Sequence, residues 1–295
     1  MIAEPSQTSQ PKPRATMRDY LELVKFPHTV FALPFALGSM LVAANGLPQA
    51  RIIGWILLAM VGARTAAMGF NRIVDRHIDA QNPRTKNREI PAGKVSVAQA
   101  STLVIVSAAL FVFAAYSLNT LAFALSLPTL AVLFFYSFCK RFTSLAHFVL
   151  GLCLGIAPAG AWVAVRGVLE PAPIVLAAAV MFWVAGFDVI YATLDAEFDR
   201  RAGIHSLVQK WGVKSSLAAA KAFHAVFIAL LALFGYLAGL SAIYYVGVGL
   251  VALFLVYEHA LVNPMDLRRV NAAFFNVNGA ISVFFLLVIA LDIWL

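Results

Sequence analysis

The sequence predicts an all-α polytopic membrane protein, and three observations carry that prediction. Apolar residues make up 62% of the 295-residue chain and charged residues only 12%, where soluble domains run at about 45–50% and about 25%. Mean hydropathy is +0.85. The apolar residues gather into nine stretches, each near the roughly 20 residues that a bilayer requires. A water-soluble fold would lack the polar surface to cover itself. That excludes a cytosolic enzyme, a disordered chain and a secreted scaffold, and Cys139 and Cys153 are too few for a disulfide framework.

Residues 1–16 read as a disordered polar tail with Pro5, Pro11 and Pro13 and no apolar signal-peptide core. An interfacial helix is expected around 17–27. The nine spans fall near 28–45, 51–71, 97–117, 119–137, 145–165, 172–194, 215–237, 241–260 and 272–293, so that 17–295 forms a single membrane domain. Turn residues separate them: Asn45-Gly46-Leu47-Pro48, Ser117-Leu118-Asn119, Pro171 and Pro173, Gly239-Leu240-Ser241, and Asn263-Pro264.

The net charge of +8 belongs to topology rather than to nucleic-acid binding. Lys12, Arg14, Arg18 and Lys25, then Arg76 to Lys94, Lys140 and Arg141, Arg200 to Lys214, and Arg268 and Arg269 all fall on one side. Arg51 and Arg166 alone fall on the other. The bias places the N-terminus in the cytoplasm and Leu295 outside, as expected in a bacterial-type inner membrane. Two cytoplasmic connections, about 75–96 and 195–214, are long, and long connections are often functional.

Both long connections begin with acids in the same pattern. Arg64, Asn71, Asp75 and Asp79 are spaced seven, four and four, and Asp188, Tyr191, Asp195 and Asp199 three, four and four. On a 3.6-residue helix each set shares one face. Paired carboxylates repel unless a cation lies between them, and Mg²⁺ suits such oxygen ligands. Asp at a helix C-terminus opposes the macrodipole, which argues against a merely solvated helix end. Arg88, Lys94, Lys140 and Arg141 follow closely, and metal with cations is what a diphosphate ester requires. Arg64 and Asp188 lie inside the apolar boundary, where charge is costly, so each is expected to be the other's partner in the resting protein.

Asn71-x-x-x-Asp75-x-x-x-Asp79 followed by Arg84-Thr85-x-x-Arg88-x-Ile90-Pro91-x-Gly93 resembles the first signature of the UbiA superfamily of intramembrane aromatic prenyltransferases. Asp188-x-x-Tyr191-Ala192-x-x-Asp195-x-x-x-Asp199, running on to Gly203-Ile204-x-Ser206, resembles the second. Tyr136-Ser137-x-x-Lys140-Arg141-x-Thr143 resembles a further motif. The resemblance covers nearly the whole chain from about residue 18 and is nearest to 4-hydroxybenzoate polyprenyltransferases of quinone biosynthesis. It implies nine helices around a central cavity, with a cytoplasmic cap of long loops. Two positions depart: Ser137 stands where Pro is usual, and His147 where ubiquinone-pathway members carry Gln. At both the chain is more similar to members assigned to futalosine-type menaquinone synthesis, which bears on the acceptor.

The resemblance implies a Mg²⁺-dependent transfer of a polyprenyl group from its pyrophosphate to an aromatic acid, with two ions. Asn71, Asp75 and Asp79 would hold one and Asp195 and Asp199 the other. Arg72, Arg88, Lys94, Lys140 and Arg141 would bind pyrophosphate, while Arg64, Asp188 and Tyr191 would serve the acceptor. The run Gly151-x-x-x-Gly155-Ile156-Ala157-Pro158-Ala159-Gly160 is expected to let helices approach closely. A secondary transporter is the rival from another class, but its acids would lie near the midplane on broken helices. A CDP-alcohol phosphotransferase-like enzyme would carry a single acidic cluster, which is not found.

Overall fold

The computed structural model describes residues 15–262, 267, 270 and 273–295. Most of the expected tail, the Asn263-Pro264 turn, and Lys12, Arg14, Arg268 and Arg269 lie outside the described residues.

The chain enters through the short helix α1 (Met17–Leu23), fixed by a capping box between Thr16 and Asp19. A 3₁₀ turn over Phe26–Phe31 leads into α2 (Leu33–Ala44). Then follow α3 (Ala50–Gln81), α4 (Val97–Leu118), α5 (Thr120–Cys139), α6 (Ala146–Arg166) and α7 (Pro171–Ala192). The short α8 (Ala196–Ala202) precedes α9 (Leu207–Ala238) and α10 (Ala242–Leu261). A π-helical turn over Ala273–Val277 opens α11 (Asn278–Trp294). Among the described residues eight helices are long and apolar enough to cross a membrane; the first expected span is a shorter apolar helix, Thr29–Ala44. The protein is a multi-pass, all-helical membrane protein.

Three boundaries differ from expectation, each for a local reason. α3 runs on to Gln81, so the expected loop from 75 begins only at Asn82. At about 1.5 Å per residue this helix outruns the roughly 30 Å hydrocarbon core, which lifts Asp75 and Asp79 toward water on a rigid rod. α7 stops at Ala192 and tightens into a 3₁₀ turn, Thr193–Asp195, before α8. The shared helical face expected for Asp188 through Asp199 is therefore broken. α9 joins two helical pieces: Ser206 caps a short first one at Leu207, and the non-helical Gly212, at φ 76°, kinks the chain just before the span expected near 215.

The small-residue run on α6 does what its spacing suggested. A Cβ on Gly151 would stand 2.3 Å from the Met181 carbonyl oxygen, and one on Gly155 2.4 Å from that of Ala177. α6 and α7 thus touch backbone to backbone. Gly151→Ala is expected to cost about 1–3 kcal/mol through forced separation, read as a lower thermal midpoint in detergent. Gly160→Ala, whose Cβ would meet nothing within 4 Å, should leave the midpoint unchanged; equal midpoints for both variants would reject the close-contact account.

At the end of the bundle away from the acids, Asn119 donates from Nδ2 to the Val163 carbonyl (2.7 Å), and Asp292 accepts from the backbone N–H of Ser241 and Tyr244. In the core Trp183 packs between Phe35 and Phe227 and donates from Nε1 to Asn278 Oδ1 (2.8 Å).

Candidate active site

α3, α5 and α7 bring the two acidic segments to one end of the bundle. On α3, Asp75 is nearly fully buried and accepts at Oδ2 from Asn71 Nδ2 (3.0 Å) and Lys140 Nζ (2.5 Å). Its Oδ1 accepts from Arg141 Nη2 (3.3 Å). Lys140 and Arg141 sit where α5 ends, so the fourth expected span delivers its terminal cations onto the acidic helix face. One turn further along α3, Asp79 Oδ1 accepts from Arg88 Nη1 (2.7 Å), while its Oδ2 is buried with no partner among the described residues.

The loop after α3 closes over the second segment. Arg84 donates from Nε (2.9 Å) and Nη2 to the two oxygens of Asp195, and from Nη1 to the Tyr191 hydroxyl (2.7 Å). Asn82 adds a donor to Asp195 at 3.3 Å. Arg84 also lies over the Tyr191 ring, 5.1 Å from its centre, with Phe274 packed against the same ring at 4.3 Å. Burial disfavours the Arg84 charge, but the hydrogen bond and charge of Asp195 outweigh it, so its pKa stands above the ordinary guanidinium value. Asp199, on α8, feels the charges of Asp195, Lys140, His147 and Arg84.

Behind this rim lies a cavity of about 550 Å³, walled by α2 through α6 and almost entirely apolar. It extends from Asn71 and Tyr136 at the acidic end toward Leu118 and Leu169 at the other. Arg64 projects into its wall and donates from Nη2 to the Lys25 carbonyl (2.8 Å), which the left-handed Lys25 (φ 48°) presents inward. The Nε of Arg64 is buried without a partner among the described residues.

Several sequence expectations meet different neighbours here. Arg64 and Asp188 do not pair: Arg64 is held by a carbonyl, and Asp188 Oδ2 is bonded to His147 Nδ1 at 2.6 Å. Arg72 is buried about a quarter turn round α3 from Asn71, with its Nε on the Leu23 carbonyl (3.2 Å) and within the field of Asp79 and Asp75. Lys94 is exposed and its charge is felt by Asp19 of the cap helix. Arg84, Asn82, Tyr136, Ser137 and His147 join the site although spacing alone did not single them out. Arg84, Tyr136 and Ser137 stand in the quoted signatures, and Ser137 and His147 are the two departures from them.

A cation would suit the acidic rim. No three carboxylate, imidazole or thiol groups converge on one point among the described residues, so an ion would take one or two carboxylates and complete its shell with water and substrate oxygens, the habit of Mg²⁺. The orphaned Asp79 Oδ2 is a ready acceptor for it. The rim's acids are already met by cations: Asp75, Asp79 and Asp195 pair with Lys140, Arg141, Arg88 and Arg84, and Asp199 feels Lys140 and Arg84. A diphosphate entering a site whose cations are already engaged needs added ones.

Comparison with known proteins agrees with this architecture. A solved UbiA homolog from Aeropyrum pernix K1, in its apo state, matches with TM-score 0.81 and 36% identity over 90% of this chain and 98% of that one. A UbiA homolog from Archaeoglobus fulgidus, bound to GPP and Mg²⁺, shares the fold with TM-score 0.72 at 22% identity, over 94% and 100% of the two chains. The 4-hydroxybenzoate octaprenyltransferase of Vibrio cholerae serotype O1 is 30% identical over 283 residues, 94% of this chain and 98% of the relative. The model of the UbiA prenyltransferase family matches residues 32–287, from the start of α2 into the last helix. With that match spanning nearly all of the helical bundle, the chain belongs to the UbiA prenyltransferase family.

Proposed function

We propose that this prenyltransferase moves a polyprenyl group from an allylic diphosphate to a ring carbon of an aromatic acid, most closely 4-hydroxybenzoate, with two Mg²⁺ ions, in quinone biosynthesis. The observation that carries this reading is the meeting of a long apolar cavity with an acid–cation rim at its Asn71 end. A prenyl diphosphate has the same two halves. Along α3 the cavity lining runs from Ile56 to Asn71, about 22 Å at the helical rise, room for several isoprene units. The names of the relatives, an octaprenyltransferase and a homolog bound to GPP and Mg²⁺, support the same substrates.

Asn71, Asp75 and Asp79 would hold one ion, and Asp195 and Asp199 the other. When bound, Mg²⁺ supplies Lewis-acid neutralisation of the leaving diphosphate. Lys140, Arg141, Arg88 and Arg84 turn from carboxylate to phosphate oxygens, a short exchange since each already lines the rim. Arg72, which senses Asp79 and Asp75 although its Nε is bonded to the Leu23 carbonyl, and the exposed Lys94 would add positive charge around the diphosphate. The apolar walls keep water from an allylic cation, and the Tyr136 ring, which lines the cavity, offers it a π face. The free Nε–H of Arg64 suits the acceptor carboxylate. As the allylic C–O bond breaks and the new C–C bond forms, the diphosphate leaves with the metal and the ring carbon loses a proton; Asp188 accepts the hydrogen bond of the substrate hydroxyl, or that ring proton.

The test is product mass spectrometry on the detergent-purified protein with farnesyl diphosphate, Mg²⁺ and a panel of aromatic acids. Prenylated 4-hydroxybenzoate is expected, and EDTA should abolish it; turnover that survives EDTA rejects the metal reading. A second reading, an acceptor of futalosine-type menaquinone synthesis, is favoured by His147 and its bond to Asp188. It wins if another aromatic acid is prenylated and 4-hydroxybenzoate is inert.

Two further outcomes are expected. Arg64→Ala should raise KM for the aromatic acid at least about tenfold, the worth of a charge-assisted hydrogen bond, with little change in KM for the prenyl diphosphate. An unchanged acceptor KM in a stable variant rejects the role. The acidic end is read as facing the cytoplasm, with Leu295 on the opposite side. A reporter fused at Leu295 should work only outside; a cytoplasmic signal would overturn that orientation.

A further inference from the structure

His147 sits in the first turn of α6, buried to 5% exposure, and joins three elements. Its Nδ1 lies 2.6 Å from Asp188 Oδ2 on α7, and its Nε2 lies 3.4 Å from the backbone nitrogen of Leu207, the first residue of α9. A backbone N–H can only donate, so Nε2 is the bare nitrogen and the ring proton is on Nδ1, facing the carboxylate. The bond to Leu207 also satisfies one of the amides that a helix N-terminus leaves without an intrahelical acceptor. Ser206 Oγ takes another of them, the N–H of Gln209. The tautomer is thus set by the start of α9, and α9 starts there because Ser206 caps it.

The consequence falls on Asp188. Its Oδ2 is engaged, whereas Oδ1 has no hydrogen bond among the described residues, and the side chain keeps 22% exposure. Free rotation would exchange the two oxygens and let the carboxylate turn toward the cationic rim, where Lys140 and Arg84 stand. A donor fixed at Oδ2 prevents both. We propose that His147 is a positioning residue for prenyl transfer: its Nδ1–H holds the Asp188 carboxylate with Oδ1 open to the acceptor hydroxyl. The loop 203–206, which follows the second acidic segment and leads into Leu207, is thereby coupled to acceptor placement, because the same ring hydrogen-bonds Asp188 and the Leu207 N–H. The backbone N–H of His205 donates to the Lys140 carbonyl at 2.8 Å, which ties that loop to the end of α5, whose Lys140 side chain meets Asp75. The proposal rests on the transferase reading above, in which Asp188 meets the acceptor.

The experiment compares His147→Leu with His147→Asn. Leu keeps bulk and removes both polar atoms. The Asn amide can place a donor where Nδ1 stands, restoring the bond to Asp188. His147→Leu should lower kcat/KM for the aromatic acid by about 10–100-fold, the range for a hydrogen bond to a charged group. KM for the prenyl diphosphate and the Mg²⁺ requirement should not move. His147→Asn should recover most of the loss, and thermal midpoints should stay alike. A wild-type acceptor KM and kcat in His147→Leu overturns the proposal. So does equal damage to both substrates with a lowered midpoint and no rescue by Asn, which would make His147 a structural tie only.

A second readout does not depend on turnover. ¹⁵N-histidine spectra of the full-length protein should show one ring with Nδ1 protonated and Nε2 bare, absent from His147→Asn and shifted in Asp188→Asn. An active wild-type protein lacking that signal overturns the hydrogen bond. A protein that shows the signal but prenylates no aromatic acid overturns the transferase reading, and with it the role given to His147.

Discussion

Asp75→Ala is expected to remove turnover by about 10³-fold or more, roughly 4 kcal/mol of transition-state stabilisation, while the purified protein keeps its elution position and thermal midpoint. Asp75 is the most engaged carboxylate of the rim, accepting from Asn71, Lys140 and Arg141 at once with its side chain 3% exposed. Its loss would remove a proposed ion ligand and leave Lys140 without its carboxylate, while Arg141 keeps the Val74 carbonyl at 2.9 Å. Breaking a wholly buried ion pair costs about 3–5 kcal/mol of stability. Lys140 and Arg141, however, are 29% and 39% exposed and can turn to water, so the fold should be spared most of that cost. Asp75→Asn separates charge from shape: it keeps an acceptor for Lys140 but not the anion, and it should be nearly as inactive. Turnover above about a tenth of wild type in either variant would sink the metal-site reading.

Asp195→Ala should cost about 10²–10³-fold in turnover and should also loosen the loop after α3. Asp195 is the anchor on which that loop closes, through both of its oxygens to Arg84 and through Asn82. Without it Arg84 keeps only the Tyr191 hydroxyl and ring. Hydrogen exchange over residues 82–96 should therefore rise in Asp195→Ala and in Arg84→Ala, whereas only the former loses a proposed ion ligand. Turnover should accordingly fall further in Asp195→Ala than in Arg84→Ala. Wild-type exchange in both variants would show that the loop is held by other contacts, and equal turnover losses would remove Asp195 from the ligand set.

The sequence carried the class and the acidic faces for one reason: both depend on intervals along a single helix. Composition alone required lipid as solvent, and the spacing of Asn71, Asp75 and Asp79 fixed a common face because α3 continues unbroken to Gln81. The same reasoning held less well for Asp188 through Asp199. There the α-helix gives way to a 3₁₀ turn at Thr193, a change of pitch that no interval reveals. The Gly151–Gly155 contact was legible in part: small residues four apart permit close approach, but the partner backbone at Ala177 and Met181 had to be seen.

Partners across the fold were settled only by tertiary structure. Lys140 meets Asp75 across 65 positions, Arg84 meets Asp195 across 111, and His147 meets Asp188 across 41. Arg64 illustrates the limit most sharply. Burying a guanidinium requires an acceptor, and the requirement was readable, but its answer is the Lys25 carbonyl, an atom that every residue possesses and that only the left-handed turn at Lys25 aims at Arg64. The sequence by itself thus determined which residues share a helix face and that they must lie in a membrane. Which charges neutralise one another, and where the cavity opens onto them, was decided by how the helices pack, because electrostatic pairing acts through space and carries no period along the chain.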